Sequence, residues 1–241
     1  MATNVSESEQ AADSRLALII APHPDDEAIA TGGLIAFLVA RGWDVRVAVM
    51  AVGECRQLST GRTEPNARTA ELQAAQQVGG YRADFVFIGQ EFMRLDTLPR
   101  KQLCDEIEDR IATLQPQLVV VPPASSYDQD HRAVAEAAIT ALRPRPANLR
   151  PLVSTVLECD EPYWWRIDGH RPTPNLFIPL TEEQLESKLR MVAAHQTQNR
   201  PDPFGRSTEN LRRYALMYGV EIGGGYAEAY RILRTRGDML F

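Results

Sequence analysis

Apolar runs and helix-like periodic segments alternate along the chain from Leu16 to Leu142. Leu16–Ala21 is a continuous apolar run, and Ala28–Arg41 then places its apolar residues at the three- and four-residue spacing of a helix. The predicted strands are Leu16–Ala21, Asp44–Ala51, Asp84–Ile88 and Gln117–Val121, and the predicted helices are Ala28–Arg41, Thr63–Val78, Arg100–Leu114 and His131–Leu142. Four strand–helix units in series predict an α/β fold, a Rossmann-like, doubly wound and mostly parallel sheet flanked by helices.

The chain beyond Pro144 follows a different pattern. Loops rich in proline, tryptophan and glycine separate a strand predicted over Pro151–Leu157 from a helix predicted over Glu182–His195. Another helix is predicted over Ser207–Tyr218, after a loop that also contains proline and glycine. We interpret residues 144–205 as a C-terminal cap region on the same domain, because no repeat or second core pattern marks an independent fold.

Composition fits one globular domain, which we place at residues 15–241. The chain has 241 residues, of which 44% are hydrophobic and 24% are charged, as is ordinary for a globular protein. Residues 1–14 are predicted to be a disordered arm, since they lack the basic and apolar stretches of a secretory signal. The net charge of −6 gives no basic surface for nucleic acid, and the longest apolar runs are too short for membrane insertion. We therefore expect a cytoplasmic protein that neither binds nucleic acid nor inserts into a membrane.

A compact acidic turn follows the first predicted strand. In doubly wound sheets ligands bind beyond the carboxyl ends of the strands, and the segment Pro22–Glu27 lies at such an end. The imidazole of His23 and the carboxylate of Asp26 are three residues apart and can aim at one divalent ion. Asp25 points elsewhere and can accept a proton from water. The alternative is that these acids only cap the helix, but His23 gains little at the positive end of a helix.

A second polar segment, Ser125–His131, follows the fourth predicted strand. His131 opens a helix, where the dipole disfavours a protonated histidine but not a neutral metal ligand. Asp130 is interpreted either as a partner that orients the imidazole or as the N-cap of the helix. Because both segments lie at carboxyl ends of strands, the sequence predicts that they form one site.

The two segments together resemble the PIG-L/LmbE-like family of metal-dependent N-acetylglucosaminyl deacetylases. Pro22-His-Pro-Asp-Asp-Glu27 after an apolar strand is the most specific element, and Asp130-His-Arg-Ala-Val134 follows about a hundred residues later. Weaker matches appear in the right order at Arg68-Thr-Ala-Glu71, His195-Gln-Thr-Gln198 and Tyr226-Ala-Glu-Ala-Tyr230. The resemblance covers essentially the whole chain from the first predicted strand onward.

This resemblance implies a metal-dependent hydrolase. It implies one zinc ion, or ferrous iron, held by His23, Asp26 and His131, with Asp25 as the general base. It further implies that the substrate is an N-acetylglucosamine-type amino sugar or a glycosylated small molecule, from which an N-acetyl group is removed. The sequence leaves the oligomeric state open, and a homo-oligomer is one of the alternatives.

Four residues are expected to contact the substrate. The resemblance implies contacts of Arg68 and Asp96 with sugar hydroxyls, and Trp164 and His195 of the predicted cap are further candidates. An ion pair with Glu71 on the helix surface is the alternative for Arg68, and capping of the next helix is the alternative for Asp96. Packing of the aromatic cluster is the alternative for Trp164.

Asp128 departs from the family pattern, which commonly has histidine at this position. A carboxylate opposes a developing oxyanion unless it is protonated or turned away, and the loss of one oxyanion stabiliser costs roughly 2.7–4 kcal/mol. We therefore treat Asp128 as a residue of the catalytic site, with His195 as a replacement for the missing histidine. Two alternatives to deacetylation stay open. One is an amidase for a longer acyl group or a thiol-conjugate amide, and the other is a metal-holding binding protein with little turnover.

Overall fold

The computed structural model describes residues 15–57, 61–89, 93–146, 148, 152–161 and 173–237. The strands in these parts are β1 (Leu16–Ala21), β2 (Asp44–Val52), β3 (Cys55–Gln57), β4 (Gly61–Thr63), β5 (Arg82–Ile88), β6 (Leu118–Val121), β7 (Thr155–Cys159), β8 (Leu176–Leu180) and β9 (Tyr226–Thr235). The helices are α1 (Asp26–Val39), α2 (Pro65–Gly79), α3 (Arg100–Leu114), α4 (Gln129–Ala141), α5 (Glu182–Ala194) and α6 (Thr208–Val220), and a 3₁₀ helix spans Leu95–Thr97. The arm predicted at residues 1–14 and Trp164 lie outside the described residues.

Seven strands form one sheet in the order β5-β2-β1-β6-β7-β9-β8. The first five in this order pair in parallel. Strand β9 runs antiparallel to β7 and to β8, and β3 and β4 form a separate hairpin. The prediction of a mostly parallel α/β sheet is confirmed.

Side chains of β1 alternate between two buried cores, one on each face of the sheet. Ala17, Ile19 and Ala21 pack with α1, α2, α5 and α6, whereas Leu18 and Ile20 pack with α3 and α4. A strand that is buried on both faces needs apolar side chains at every position. This explains why β1 reads as an uninterrupted apolar run, and it confirms that helices cover both faces.

Helix α5 belongs to the layer that covers the sheet, although its sequence lies within the predicted cap region. Its buried residues Leu185, Met191 and Val192 share one core with α1 and α2. The core that contains Ala17, Ile19 and Ala21 therefore includes residues from both halves of the chain.

Two strands near the C-terminus were not predicted, namely β8 and β9. Strand β9 carries Glu228, whose carboxylate is buried between α1 and α5. It accepts hydrogen bonds from Lys188 Nζ and from the backbone N–H groups of Gly33 and Leu34. A buried charge with these partners does not follow a simple apolar pattern. The strand predicted at Pro151–Leu157 is displaced to Thr155–Cys159.

The sheet places a crevice beyond the carboxyl end of β1. Strand β1 has β2 on one side and β6 on the other. The chain connections that follow β1 and β6 therefore diverge, and such a point is where α/β sheets bind ligands. The turn that leads into α1 follows β1, and the turn that leads into α4 follows β6. No helix in the described ranges has the length and apolar character needed to cross a membrane.

Candidate active site

The turn between β1 and α1 is folded by its own side chains. The backbone N–H of His23 donates to Asp26 Oδ2 at 2.9 Å, and that of Asp25 donates to Glu27 Oε2 at 2.9 Å. Asp25 has a φ of 119° and stands at the N-cap of α1, yet its side chain makes no capping hydrogen bond. Positive φ is strained for a residue other than glycine and tends to occur at functional sites. Simple helix capping therefore does not explain the acidic turn.

Two histidines converge on Asp26, and each is held from behind by another carboxylate. His23 Nε2 lies 2.8 Å from Asp130 Oδ2, and His23 Nδ1 lies 3.5 Å from Asp26 Oδ2. His131 Nδ1 lies 2.6 Å from Glu161 Oε1, and His131 Nε2 lies 3.2 Å from Asp26 Oδ2. Metal-binding histidines characteristically use one ring nitrogen for the metal and the other for such a carboxylate.

These donors fit a divalent metal ion. Two imidazole nitrogens and a carboxylate oxygen are a ligand set that zinc or ferrous iron accepts, and His23, Asp26 and His131 are all buried. Ligand atoms of His23, Asp128 and His131 also lie within 4.8 Å of one another, so Asp128 is a second carboxylate that could complete this group. The site can therefore hold a metal.

Electrostatics keep the Asp26 carboxylate ionised. Burial acts to raise the pKa of Asp26, but the charge of His131 and hydrogen bonds with both imidazoles hold that pKa well below its usual range. Burial acts to lower the pKa of His131, yet Asp26 and Glu161 raise it well above its ordinary value. A bound cation would satisfy the same carboxylate charge that otherwise favours a protonated imidazole.

Asp25 is buried and is bound by two arginines. Arg68 Nη2 lies 3.1 Å from Asp25 Oδ1 and also donates to the Pro24 carbonyl. Arg206 Nη1 lies 3.1 Å from Asp25 Oδ2. Burial and the nearby charge of Asp26 raise the pKa of Asp25, and together they outweigh the lowering by Arg68, Arg206 and His195. A raised pKa strengthens the carboxylate as a base at neutral pH.

His195 lies behind the turn, on Glu27. Its Nε2 is 2.8 Å from Glu27 Oε1, and the hydroxyl of Tyr81 donates to the same oxygen at 2.8 Å. His195 is 1% exposed. Its imidazole partners a fully buried carboxylate, which would otherwise lack one of its donors.

The turn before α4 distributes its acids differently from the prediction. Asp128 is the N-cap of α4, and its Oδ1 accepts the backbone N–H of Asp130 at 2.8 Å. Asp130 therefore neither caps the helix nor orients His131. Its two oxygens accept hydrogen bonds from His23 and from the backbone N–H of Leu95, the latter at 2.7 Å.

The remaining expected substrate contacts have separate surroundings. Arg68 pairs with Asp25 and not with Glu71, which instead accepts the backbone N–H and the hydroxyl of Thr197 at 2.7 and 2.8 Å. Asp96 is exposed in the 3₁₀ helix, and its Oδ1 lies 3.3 Å from Gln129 Nε2. Asp96 thus stands at an accessible edge, whereas Arg68 supports the base.

Three residues of the site were missed in the sequence. Glu161 follows β7, so the strand-end rule that located His23 and His131 could also have found it. Tyr81 and Arg206 carry no comparable signal, because their contacts with Glu27 and Asp25 depend on how distant parts of the chain pack.

The fold and the site together define an α/β protein with a candidate metal centre. The sheet is doubly wound, and two histidines, each paired with a carboxylate, lie close to the strand at which the chain connections diverge. Residues 18–142 match the model of the PIG-L family, described as GlcNAc-PI de-N-acetylase. The chain belongs to this family. It is 28% identical over 238 residues to the diacetylchitobiose deacetylase of Thermococcus kodakarensis, an alignment that covers 92% of this chain and 84% of the relative.

Two solved structures share the fold at lower sequence identity. The N,N'-diacetylchitobiose deacetylase from Pyrococcus horikoshii, in complex with its inhibitor MPG, has a TM-score of 0.70 at 24% identity and covers 95% of this chain and 90% of its own. GalB, the 4-carboxy-2-hydroxymuconate hydratase from Pseudomonas putida, has a TM-score of 0.68 at 22% identity and covers 92% and 97%. One fold thus carries enzymes that are named for different reactions, so function has to be argued from the site.

Proposed function

We propose that this protein is a metal-dependent N-deacetylase that removes the acetyl group from an N-acetylglucosamine-type amino sugar or glycosylated small molecule. The observation that carries the proposal is the buried group of His23, Asp26 and His131 beside the Asp25 carboxylate. Family membership and the relative named as a diacetylchitobiose deacetylase support the choice of an acetamido sugar.

The chain's own residues can carry out the proton transfers of amide hydrolysis. When bound, a divalent ion at His23, Asp26 and His131 lowers the pKa of a water molecule and polarises a carbonyl group. Asp25 accepts a proton from the attacking water and then delivers it to the leaving nitrogen. Arg68 fixes the orientation of Asp25 through its contacts with the side chain and the Pro24 carbonyl.

We propose zinc as the native ion, with ferrous iron as the alternative, because both accept nitrogen and oxygen ligands and availability often decides between them. Asp96 is the proposed contact for a sugar hydroxyl at the accessible edge. Trp164 stays an expectation from the sequence. Asp128 is proposed to border the reacting centre: its Oδ1 caps α4, and it lies close to the ring nitrogens of His23 and His131.

Acetate release from a panel of N-acetylglucosaminides tests the proposal, with the metal-loaded protein as the enzyme. The variant Asp25→Asn keeps the size of the side chain but removes the base, and we expect it to lower kcat by a factor on the order of 10²–10⁴. Asp105→Asn is the matched control, because Asp105 is an exposed residue of α3 whose side chain pairs with Lys101. Unchanged activity of Asp25→Asn would refute the mechanism, and absence of acetate release from every substrate would refute the sugar deacetylase.

The same panel separates the alternatives when the acyl chain is lengthened on a fixed sugar. A deacetylase prefers acetyl, whereas an amidase for larger acyl groups gains activity with chain length. A binding protein would take up the metal and the sugar but release no acid from any member.

A further inference from the structure

Within the described residues, carboxylates outnumber arginine side chains around the candidate active site. The buried acids are Asp25, Asp26, Glu27, Asp128, Asp130 and Glu161. Two arginines contact Asp25, the proposed general base, namely Arg68 and Arg206. A reaction that develops negative charge in such surroundings needs a cation close to the position where the charge appears.

The two arginines differ in their exposure to solvent. The Arg68 side chain is 4% exposed and is held on two sides, by Asp25 and by the Pro24 carbonyl. The Arg206 side chain is 29% exposed and approaches Asp25 Oδ2 from the solvent side of the turn. Of these two, Arg206 is therefore the guanidinium that a substrate entering from solvent can meet.

The backbone that carries Arg206 is fixed, although its side chain is long. The next residue, Ser207, caps α6 by accepting the backbone N–H of Asn210 at 3.1 Å. The Asn210 side chain in turn donates to the carbonyls of Pro203 and Phe204. The loop thus ends in a defined position immediately before α6.

Charge moves over a short path in the proposed hydrolysis. Asp25 begins as a carboxylate and becomes neutral when it takes a proton from the attacking water. The new carbon–oxygen bond forms as the π electrons of the acyl C=O group move onto its oxygen, so one negative charge leaves Asp25 and one appears on the substrate. As the oxyanion re-forms the C=O bond, the C–N bond breaks and the proton on Asp25 passes to the leaving nitrogen, so that acetic acid and the free amine result. The acid then loses its proton to solvent and leaves as acetate.

We propose that Arg206 is a catalytic residue that follows this charge, pairing with Asp25 Oδ2 before the reaction and with the acyl oxygen of the substrate in the tetrahedral intermediate. The inference rests on the proposed deacetylase function. It assigns to Arg206 the stabilisation of the oxyanion, in a site where Asp128 adds a carboxylate within 4.8 Å of ligand atoms of His23 and His131. Arg68 keeps Asp25 oriented throughout.

Steady-state kinetics of Arg206→Met tests this role in the metal-loaded enzyme. We expect kcat to fall about a hundredfold or more, with KM changed less than threefold and metal content unchanged. Arg206→Lys keeps a positive charge but loses the planar guanidinium group. Its kcat should lie between those of the wild type and of Arg206→Met. The matched control is Arg200→Met, because Arg200 lies in the same loop and donates to the carbonyls of Thr197 and Asn199. A kcat of Arg206→Met within threefold of the wild type would overturn the proposal.

Calorimetric titration with sodium acetate separates oxyanion binding from mere positioning of Asp25. Acetate is the acyl product, and its oxygen occupies the place of the acyl oxygen, so its affinity should fall at least tenfold in Arg206→Met and stay unchanged in Arg200→Met. Equal acetate affinity in wild type and Arg206→Met would overturn the proposal even if kcat falls. A wild type that releases no acetate from any amide would instead refute the proposed function, so the two failures are distinguishable.

Discussion

Glu27 is fully buried and accepts hydrogen bonds from three directions. They come from the backbone N–H of Asp25, the hydroxyl of Tyr81 and Nε2 of His195. Its charge is thereby compensated, and the same contacts hold Asp25 at its positive φ. At the scale of single residues, the position of the base depends on a carboxylate that takes no direct part in the reaction.

Tyr81→Phe tests this arrangement with the smallest possible change. It removes one hydrogen bond to a buried carboxylate, and we expect the free energy of unfolding to fall by about 1.5–3 kcal/mol. Activity should fall less than tenfold, because His195 and the Asp25 backbone still bind Glu27. Chemical denaturation measures the first quantity. Tyr214→Phe is the control, since no hydrogen bond joins the Tyr214 hydroxyl to another residue in the described parts of the chain, and an equal loss there would contradict the expectation.

Asp128→Asn tests the residue that departs from the family pattern. Asparagine caps a helix as well as aspartate does, so stability should stay within about 0.5 kcal/mol. The change removes a negative charge from the edge of the site, and we expect kcat to rise several-fold with the metal content unchanged. Loss of metal, measured by elemental analysis, would show instead that Asp128 is a ligand.

At the scale of secondary-structure elements, the hydrophobic pattern best predicted the strands that are buried among apolar groups. Strand β6 is buried throughout, β1 is buried from Ala17 to Ala21, and both were recognised as apolar runs. The three proposed metal ligands were inferred because both turns follow such strands. Strand β9 and the contact of Arg206 with Asp25 were not found, because Glu228 and Arg206 gain their partners from segments far away in the sequence.

Two helical glycines differ in what surrounds them. A Cβ on Gly219 of α6 would lie 1.9 Å from the backbone oxygen of Gly225, whereas one on Gly32 of α1 would lie 2.8 Å from Cγ of the Lys188 side chain. Backbone cannot yield as a flexible side chain can. We therefore expect Gly219→Ala to lower the free energy of unfolding by about 3 kcal/mol or more, and Gly32→Ala by about 1–2 kcal/mol. Urea denaturation of the pair checks the order, and the reverse order would contradict it.

At the scale of the whole molecule, the candidate metal centre joins segments from both halves of the chain. The family match ends at residue 142, yet Glu161, His195 and Arg206 lie beyond it and contact His131, Glu27 and Asp25. A ligand that binds only the assembled centre stabilises the entire fold by mass action.

Removal of the metal should therefore lower the midpoint of thermal unfolding. At a free metal concentration of about a thousand times Kd, the expected contribution to the free energy of unfolding is about 4.1 kcal/mol. Calorimetric scans before and after chelation measure this shift. His131→Ala should abolish it, whereas Asp105→Asn should preserve it. A midpoint of the wild type that is independent of metal would refute a metal site at this position.

The support of His131 by Glu161 also bears on when the protein can mature during its synthesis. A ribosome adds about 5–20 residues each second, so a delay on the order of ten seconds separates the emergence of His23 from that of Glu161. During this interval the acidic turn is exposed without the strand that completes its surroundings. Insertion of the metal is therefore expected as a late event, after β7 has joined the sheet.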